Sequence, residues 1–287
     1  MKPLNALSLA PAAREWLANS HHPRILHVFE QACNLIDERG DVLSIVTPQI
    51  GNGPFNLVLE EEVLFSDHLD VQSSISTHAD RLHLGDLTID TAIAKLWQPR
   101  PDWETLHARR VDILNQIMSL RALPGAKQSP NEEKIASSQR ALLAMTPIPD
   151  SLISALISAD LPSSLIAARK LAGLGIGLTP TGDDFIMGAV YAAWIIHPPE
   201  NASLFAREIT NTAAPLTTSL SAAWLRSAGK GETGITWHDL FDALISGNFT
   251  RKQESVKKIL AVGETSGADA LAGFIGTFTH WGEARAS

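Results

Sequence analysis

Over the first hundred residues the apolar positions fall in short runs divided by turn formers. Cys33–Ile36 and Val42–Val46 flank Asp37-Glu38-Arg39-Gly40-Asp41, a pattern that predicts a β-hairpin. Phe55–Leu59, Glu62–Phe65 and Val71–Ser76 read as further strands, and Arg81–Leu84 with Leu87–Ile89 as a second hairpin around Gly85-Asp86. Gln98-Pro99-Arg100-Pro101 punctuates the chain, and beyond it the apolar period becomes helical. Trp103, Leu106, Val111, Leu114, Ile117 and Met118 follow a 3.6-residue repeat. Further helices are expected over 130–145, 151–159, 162–172, 183–196, 202–227, 237–246, 251–261 and 267–281. The fold expected is therefore α+β, with a β-rich N-terminal domain over 1–99 and a larger, mainly α-helical domain over 100–287.

Composition changes this picture little. Of 287 residues, 45% are hydrophobic and 19% charged, enough apolar material for a real core. The net charge of −8, without a basic cluster, argues against nucleic acid as a partner. Cys33 is the sole cysteine, so an intramolecular disulfide and a thiolate metal cluster are both excluded. The start carries apolar residues interrupted by Pro3, Asn5 and Pro11, unlike a secretory leader. The longest apolar run, Phe185–Ile196, is shorter than the ~18–20 residues that span a bilayer. A soluble, cytoplasmic protein is expected. The histidines show no paired metal-ligand spacing, and neither a Gly-x-Ser-x-Gly elbow nor a Walker-type loop is present.

Candidate chemistry gathers where Gly173-Leu-Gly-Ile-Gly-Leu-Thr-Pro-Thr-Gly-Asp-Asp184 opens a helix that is apolar on nearly every face. Thr181 or Asp183 can cap that helix, but neighbouring helical positions lie ~100° apart, so Asp183 and Asp184 cannot both serve as one cap. A second stretch, Gly263 to Gly273, echoes the first: Gly177 matches Gly263, Thr179 matches Thr265, Gly182 matches Gly267, Asp184 matches Asp269 and Gly188 matches Gly273. The echo fits two readings, shared helix-start chemistry (Ser266 with Asp269 forms a capping box) or two helix N-termini facing one ligand. A hydroxyl-rich segment, Thr210 to Ser221, including Thr217, Thr218 and Ser219, can either bond its own backbone or hold an anion. Arg226 and Lys230 follow at distances that would bring positive charge to such a site.

The run Gly175–Gly188, Thr265-Ser-Gly-Ala-Asp269, the Gly51-Asn-Gly-Pro-Phe-Asn56 loop and the hydroxyl-rich segment together resemble the family of the oxamate carbamoyltransferase subunit of anaerobic allantoin catabolism. The resemblance spans most of the chain. It implies exchange of oxalurate and phosphate with oxamate and carbamoyl phosphate, in purine degradation. It also implies a hetero-oligomer with other carbamoyltransferase subunits, one related to acyl-CoA synthetases. The usual transcarbamoylase signatures, Ser-Thr-Arg-Thr and His-Pro-x-Gln, are absent, so any carbamoyl transfer uses another constellation.

Such chemistry needs donors for phosphate, a dipole on the carbonyl oxygen and an acceptor for the carbamoyl amide. On this reading Asp184 and Asp269 are the catalytic carboxylates. Gly177, Thr179, Thr181, Gly182, Asp183, Thr217, Thr218, Ser219, Thr265, Ser266 and Gly267 bind substrate or phosphate. No cofactor is required, although Mg2+ bridging Asp183 and Asp184 is a competing account of the same residues. The alternative function is a non-catalytic subunit that binds a small anion and scaffolds its partners. A metal-dependent phosphohydrolase ranks last, for want of further ligands.

Overall fold

The computed structural model describes residues 3–121 and 148–286, so the helix expected over 130–145 lies outside the described residues. The protein is α+β, a β-rich N-terminal part followed by a helical one. Two compact units divide it, Met1–Pro99 with Thr233–Ile235, and Arg100–Glu232 with Thr236–Ser287.

The first unit holds β1 (Leu4–Leu9), α1 (Pro11–Asn19), β2 (Arg24–Val28), β3 (Ala32–Ile36), β4 (Val42–Val46), β5 (Asn56–Leu59), β6 (Ile75–His78), β7 (Arg81–Leu84), β8 (Leu87–Asp90) and β9 (Lys95–Leu96). The strands form one mixed sheet in the order β2-β3-β4-β5-β1-β8-β7-β6, with β9 paired to β1. Both expected hairpins are present. In the first, Gly40 takes a positive φ of 82°, and the Asp37 carboxylate accepts the N–H groups of Arg39 and Asp41. Leu35, Leu43, Ile45, Leu57, Leu59, Leu82 and Ile89 pack into its core, fully buried.

Three expectations are corrected here. Glu62–Phe65 is not a strand: a short 3-10 turn occupies Phe65–Asp67. The strand expected at Val71–Ser76 forms later, at Ile75–His78. The segment read only as an interrupted apolar start forms β1 and α1. Its prolines are boundaries, Pro3 preceding the strand and Pro11 taking the first turn of the helix, where its missing N–H costs nothing.

The second unit contains α2 (Trp103–Ala108), α3 (Arg110–Arg121), α4 (Ile148–Ile157), α5 (Leu161–Leu171), α6 (Thr181–Ile196), α7 (Pro199–Ala213), α8 (Ser219–Gly229), α9 (Ile235–Ser246, its first residue belonging to the other unit), α10 (Phe249–Leu260) and α11 (Ser266–Ala286). The single helix expected over 202–227 is broken. Pro215 sits in a 3-10 turn, Thr217 is extended, and Thr218 starts α8 by accepting the Ser221 N–H on its hydroxyl. Helix α6 is buried on every face, as its composition requires, with only Thr181 and Met187 partly exposed. Around it pack Trp103, Trp237, Phe241, Phe274 and Phe278.

Helices α6 and α11 touch backbone to backbone. A Cβ added at Gly188 would fall 1.8 Å from the Ala270 carbonyl oxygen, and one at Gly273 2.2 Å from that of Phe185. These contacts are mutual images: each partner number shifted by 85 residues gives the other pair. Gly182 and Gly267 likewise press on carbonyl oxygens, of Leu171 at the end of α5 and of Ile259 near the end of α10. The recurrence in sequence is thus a recurrence in packing. Only glycine allows such close approach.

Candidate functional site

Between α5 and α6 the chain makes a glycine loop in which Gly173, Gly175 and Gly177 all have positive φ. The loop is pinned from inside. Asp183, 1% exposed, accepts the Gly173 N–H at 2.8 Å on one oxygen. Its other oxygen accepts the hydroxyls of Ser221, at 2.7 Å, and Thr217. Thr218 donates its hydroxyl to the Leu178 carbonyl. The hydroxyl-rich segment therefore does meet the glycine loop, through contacts that build it. Thr210 instead bonds back to the carbonyls of Ala206 and Arg207, the bland alternative for such residues.

Asp184 has different surroundings. It is 5% exposed, and its Oδ2 is buried without a hydrogen-bond partner. Burial pushes its carboxyl well above the usual range; the Ser266 hydroxyl opposes this, the charges of Asp269 and Asp183 add to it, and the Thr179 hydroxyl opposes it. The two loops meet here, since Thr179 Oγ1 and Ser266 Oγ lie 2.7 Å apart. Asp269, on the first turn of α11, is 1% exposed. Two carboxyls and two hydroxyls, drawn from both glycine–aspartate loops, thus share one buried locality.

The remaining sequence-derived residues are disposed around this centre. Thr181, half-buried, is the first residue of α6 and gives no side-chain cap; Gly175 packs against it. Gly182 and Gly267 are buried packing points. Gly177 and Thr265 are exposed, and Ser219 is a half-buried first residue of α8. Five of the backbone donors proposed for an anion are already engaged. Gly182 N–H bonds Leu174 O, those of Asp183 and Asp184 bond Pro180 O, and those of Gly267 and Asp269 bond Val262 O and Thr265 O. Arg226 and Lys230 line a cleft whose other lining residues include none of these loop residues.

Tyr191 is a residue the sequence reading does not single out. It is fully buried, and burial first, then the nearby charges of Asp184 and Glu232, raise its phenol and keep it protonated. Its hydroxyl points to the Glu232 carbonyl at 3.4 Å. The available signal is its spacing: seven positions from Asp184 is two helical turns, the same face of α6.

A cation bridging Asp183 and Asp184 would have to compete with the donors that Asp183 already holds. Both Asp183 oxygens accept from N–H or O–H donors. Among the described residues no group of three or more histidine, cysteine or acidic side chains is arranged to hold a metal ion.

Residues 171–278 match the family model of the oxamate carbamoyltransferase subunit AllH, and residues 5–96 match that of the AllH family N-terminal domain. The chain belongs to the AllH family. No solved structure matches it. The AllH match in the helical unit takes in the glycine loop, the hydroxyl-rich segment and the second glycine–aspartate motif, the three stretches that meet around Asp183 and Asp184. Among the described residues no helix is long and apolar enough to cross a membrane.

Proposed function

We propose that this AllH subunit carries the carboxyl pair at which a carbamoyl group is exchanged between oxamate and phosphate. The observation that supports it is Asp184, a buried carboxyl with an oxygen free to bond, beside Asp269 and the Thr179 and Ser266 hydroxyls. Burial first, then the charges of Asp269 and Asp183, favour the protonated form of Asp184, so in the proposed pair Asp184 is the protonated member and Asp269 the charged one. The protonated member donates to a carbonyl oxygen, and the ionised member accepts an amide N–H.

In the direction of oxalurate synthesis, the oxamate nitrogen bonds the carbamoyl carbon as that carbon's bond to the phosphate oxygen breaks. The nitrogen's proton passes to the ionised carboxylate and leaves on the departing phosphate, which balances the exchange. Asp184 is 5% exposed, so a substrate reaches it only when the Thr179 and Ser266 loops part.

Asp184→Asn keeps the shape and removes the titration. In the assembled enzyme it is expected to lower turnover by about 10²–10⁴-fold, the usual worth of a positioned acid–base group. An assembled Asp184→Asn enzyme with near-normal turnover rejects the catalytic role. A scaffold role is the second reading, favoured by Ile176, which lies 95% exposed at the tip of the glycine loop. Under that reading Asp184→Asn turns over normally in the assembly, whereas Ile176→Asp weakens association.

A further inference from the structure

Helices α7 and α8 enclose a cleft of about 460 Å3 lined by Arg100, Arg207, Arg226 and Lys230, with Ser203, Thr210 and Asn211 among its polar groups. Four cations in one concavity are out of keeping with a chain of net charge −8. Their compensation is incomplete. Arg207 pairs with Glu208 at 3.1 Å, while the half-buried Glu232 senses Arg100 and Lys230 from nearby. Among the described residues Arg226 has no carboxylate within salt-bridge distance.

The cleft is also shaped in advance. The Arg100 guanidinium donates to the Lys230 carbonyl at 2.8 Å and lies 5.0 Å over the Trp194 ring, whose own N–H is held by the Ala228 carbonyl. Gly229 lets α8 come against α7, since a Cβ there would lie 2.2 Å from Thr210 Oγ1.

We propose that this cleft binds a small phosphate-bearing ligand. Arginines suit that chemistry because the planar fork of N–H donors matches phosphate oxygens. The volume lies within the roughly 300–1,000 Å3 of small-molecule sites. In the loops that sequence reading assigned to an anion, the N–H groups of Gly182, Asp183, Asp184, Gly267 and Asp269 are engaged by carbonyls, whereas this cleft gathers cations. The assignment does not depend on the carboxyl-pair reading.

The test is calorimetric titration of the full chain with inorganic phosphate and, separately, pyrophosphate, at low and moderate salt. Saturable binding is expected, weakening as salt rises. Arg207→Gln/Arg226→Gln, with unchanged circular dichroism and melting temperature, is expected to weaken it by about tenfold or more. Lys230→Gln gives a second, independent loss. Preference for pyrophosphate assigns a diphosphate ligand, and equal affinity a single phosphate. Absence of saturable binding by either anion, or binding untouched in the folded double variant and in Lys230→Gln, overturns the proposal.

Discussion

Asp183 and Asp184 are adjacent, similarly buried and opposite in their bonding. Asp183 accepts from Gly173, Thr217 and Ser221, so its removal strands three donors at once. Hydrogen bonds to a charged acceptor contribute about 1.5–3 kcal/mol each, and Asp183→Ala is expected to lower stability by about 3 kcal/mol or more in urea unfolding. Asp184 has the reverse signature. Its carboxyl is raised by burial, so the folded protein holds a proton that the unfolded chain gives up. Stability from this group is complete below about pH 3.9, the unfolded value, and is lost as pH climbs through the folded one. Asp184→Asn removes that dependence. Melting temperature measured against pH is expected to decline less steeply in the variant than in wild type above pH 4; parallel curves would show that Asp184 ionises normally.

At the scale of elements, the two glycine–aspartate helices are tied by the Gly188 and Gly273 crossing. A methyl group at Gly188 meets a carbonyl oxygen of the partner helix, which cannot retreat as a flexible side chain would. Gly188→Ala is expected to cost about 1–3 kcal/mol, the usual range for overpacking, and Gly273→Ala a similar amount. Thermal melts of the two variants should therefore look alike, as the mutual geometry demands. Above the crossing, the Thr179–Ser266 contact offers a latch. Hydroxyl oxygens 2.7 Å apart put two substituted cysteines within reach of a disulfide. In Thr179→Cys/Ser266→Cys the oxidised enzyme is expected to lose turnover and the reduced one to regain it. Cys33 does not interfere, being fully buried with its thiol pushed up to about 12. Turnover that survives oxidation would mean that substrate reaches Asp184 without parting the loops.

Over the whole molecule, what can be read from sequence follows the range of the interactions. The change from short strands to helices is a matter of local period and is readable, as is the recurrence of Gly182, Asp184 and Gly188, because backbone contact demands glycine at fixed helical spacing. The partners of Asp183 lie 10 to 38 residues away, and nothing local marks them. Strand β1 is not evident locally because its partners, β5, β8 and β9, all lie far along the chain. The two units have separate hydrophobic cores that share no residue. That separation has a thermodynamic consequence. Leu57→Ala empties a fully buried site in the strand unit and is expected to destabilise it by about 2–5 kcal/mol. The helical signal at 222 nm, dominated by α2–α11, is expected to keep its urea midpoint, while the fluorescence of Trp16, buried in the strand unit, moves to lower urea. Subtracting the emission of Leu57→Ala/Trp16→Phe from that of Leu57→Ala isolates the Trp16 contribution. One transition shifting in both probes together would instead make the chain a single cooperative body.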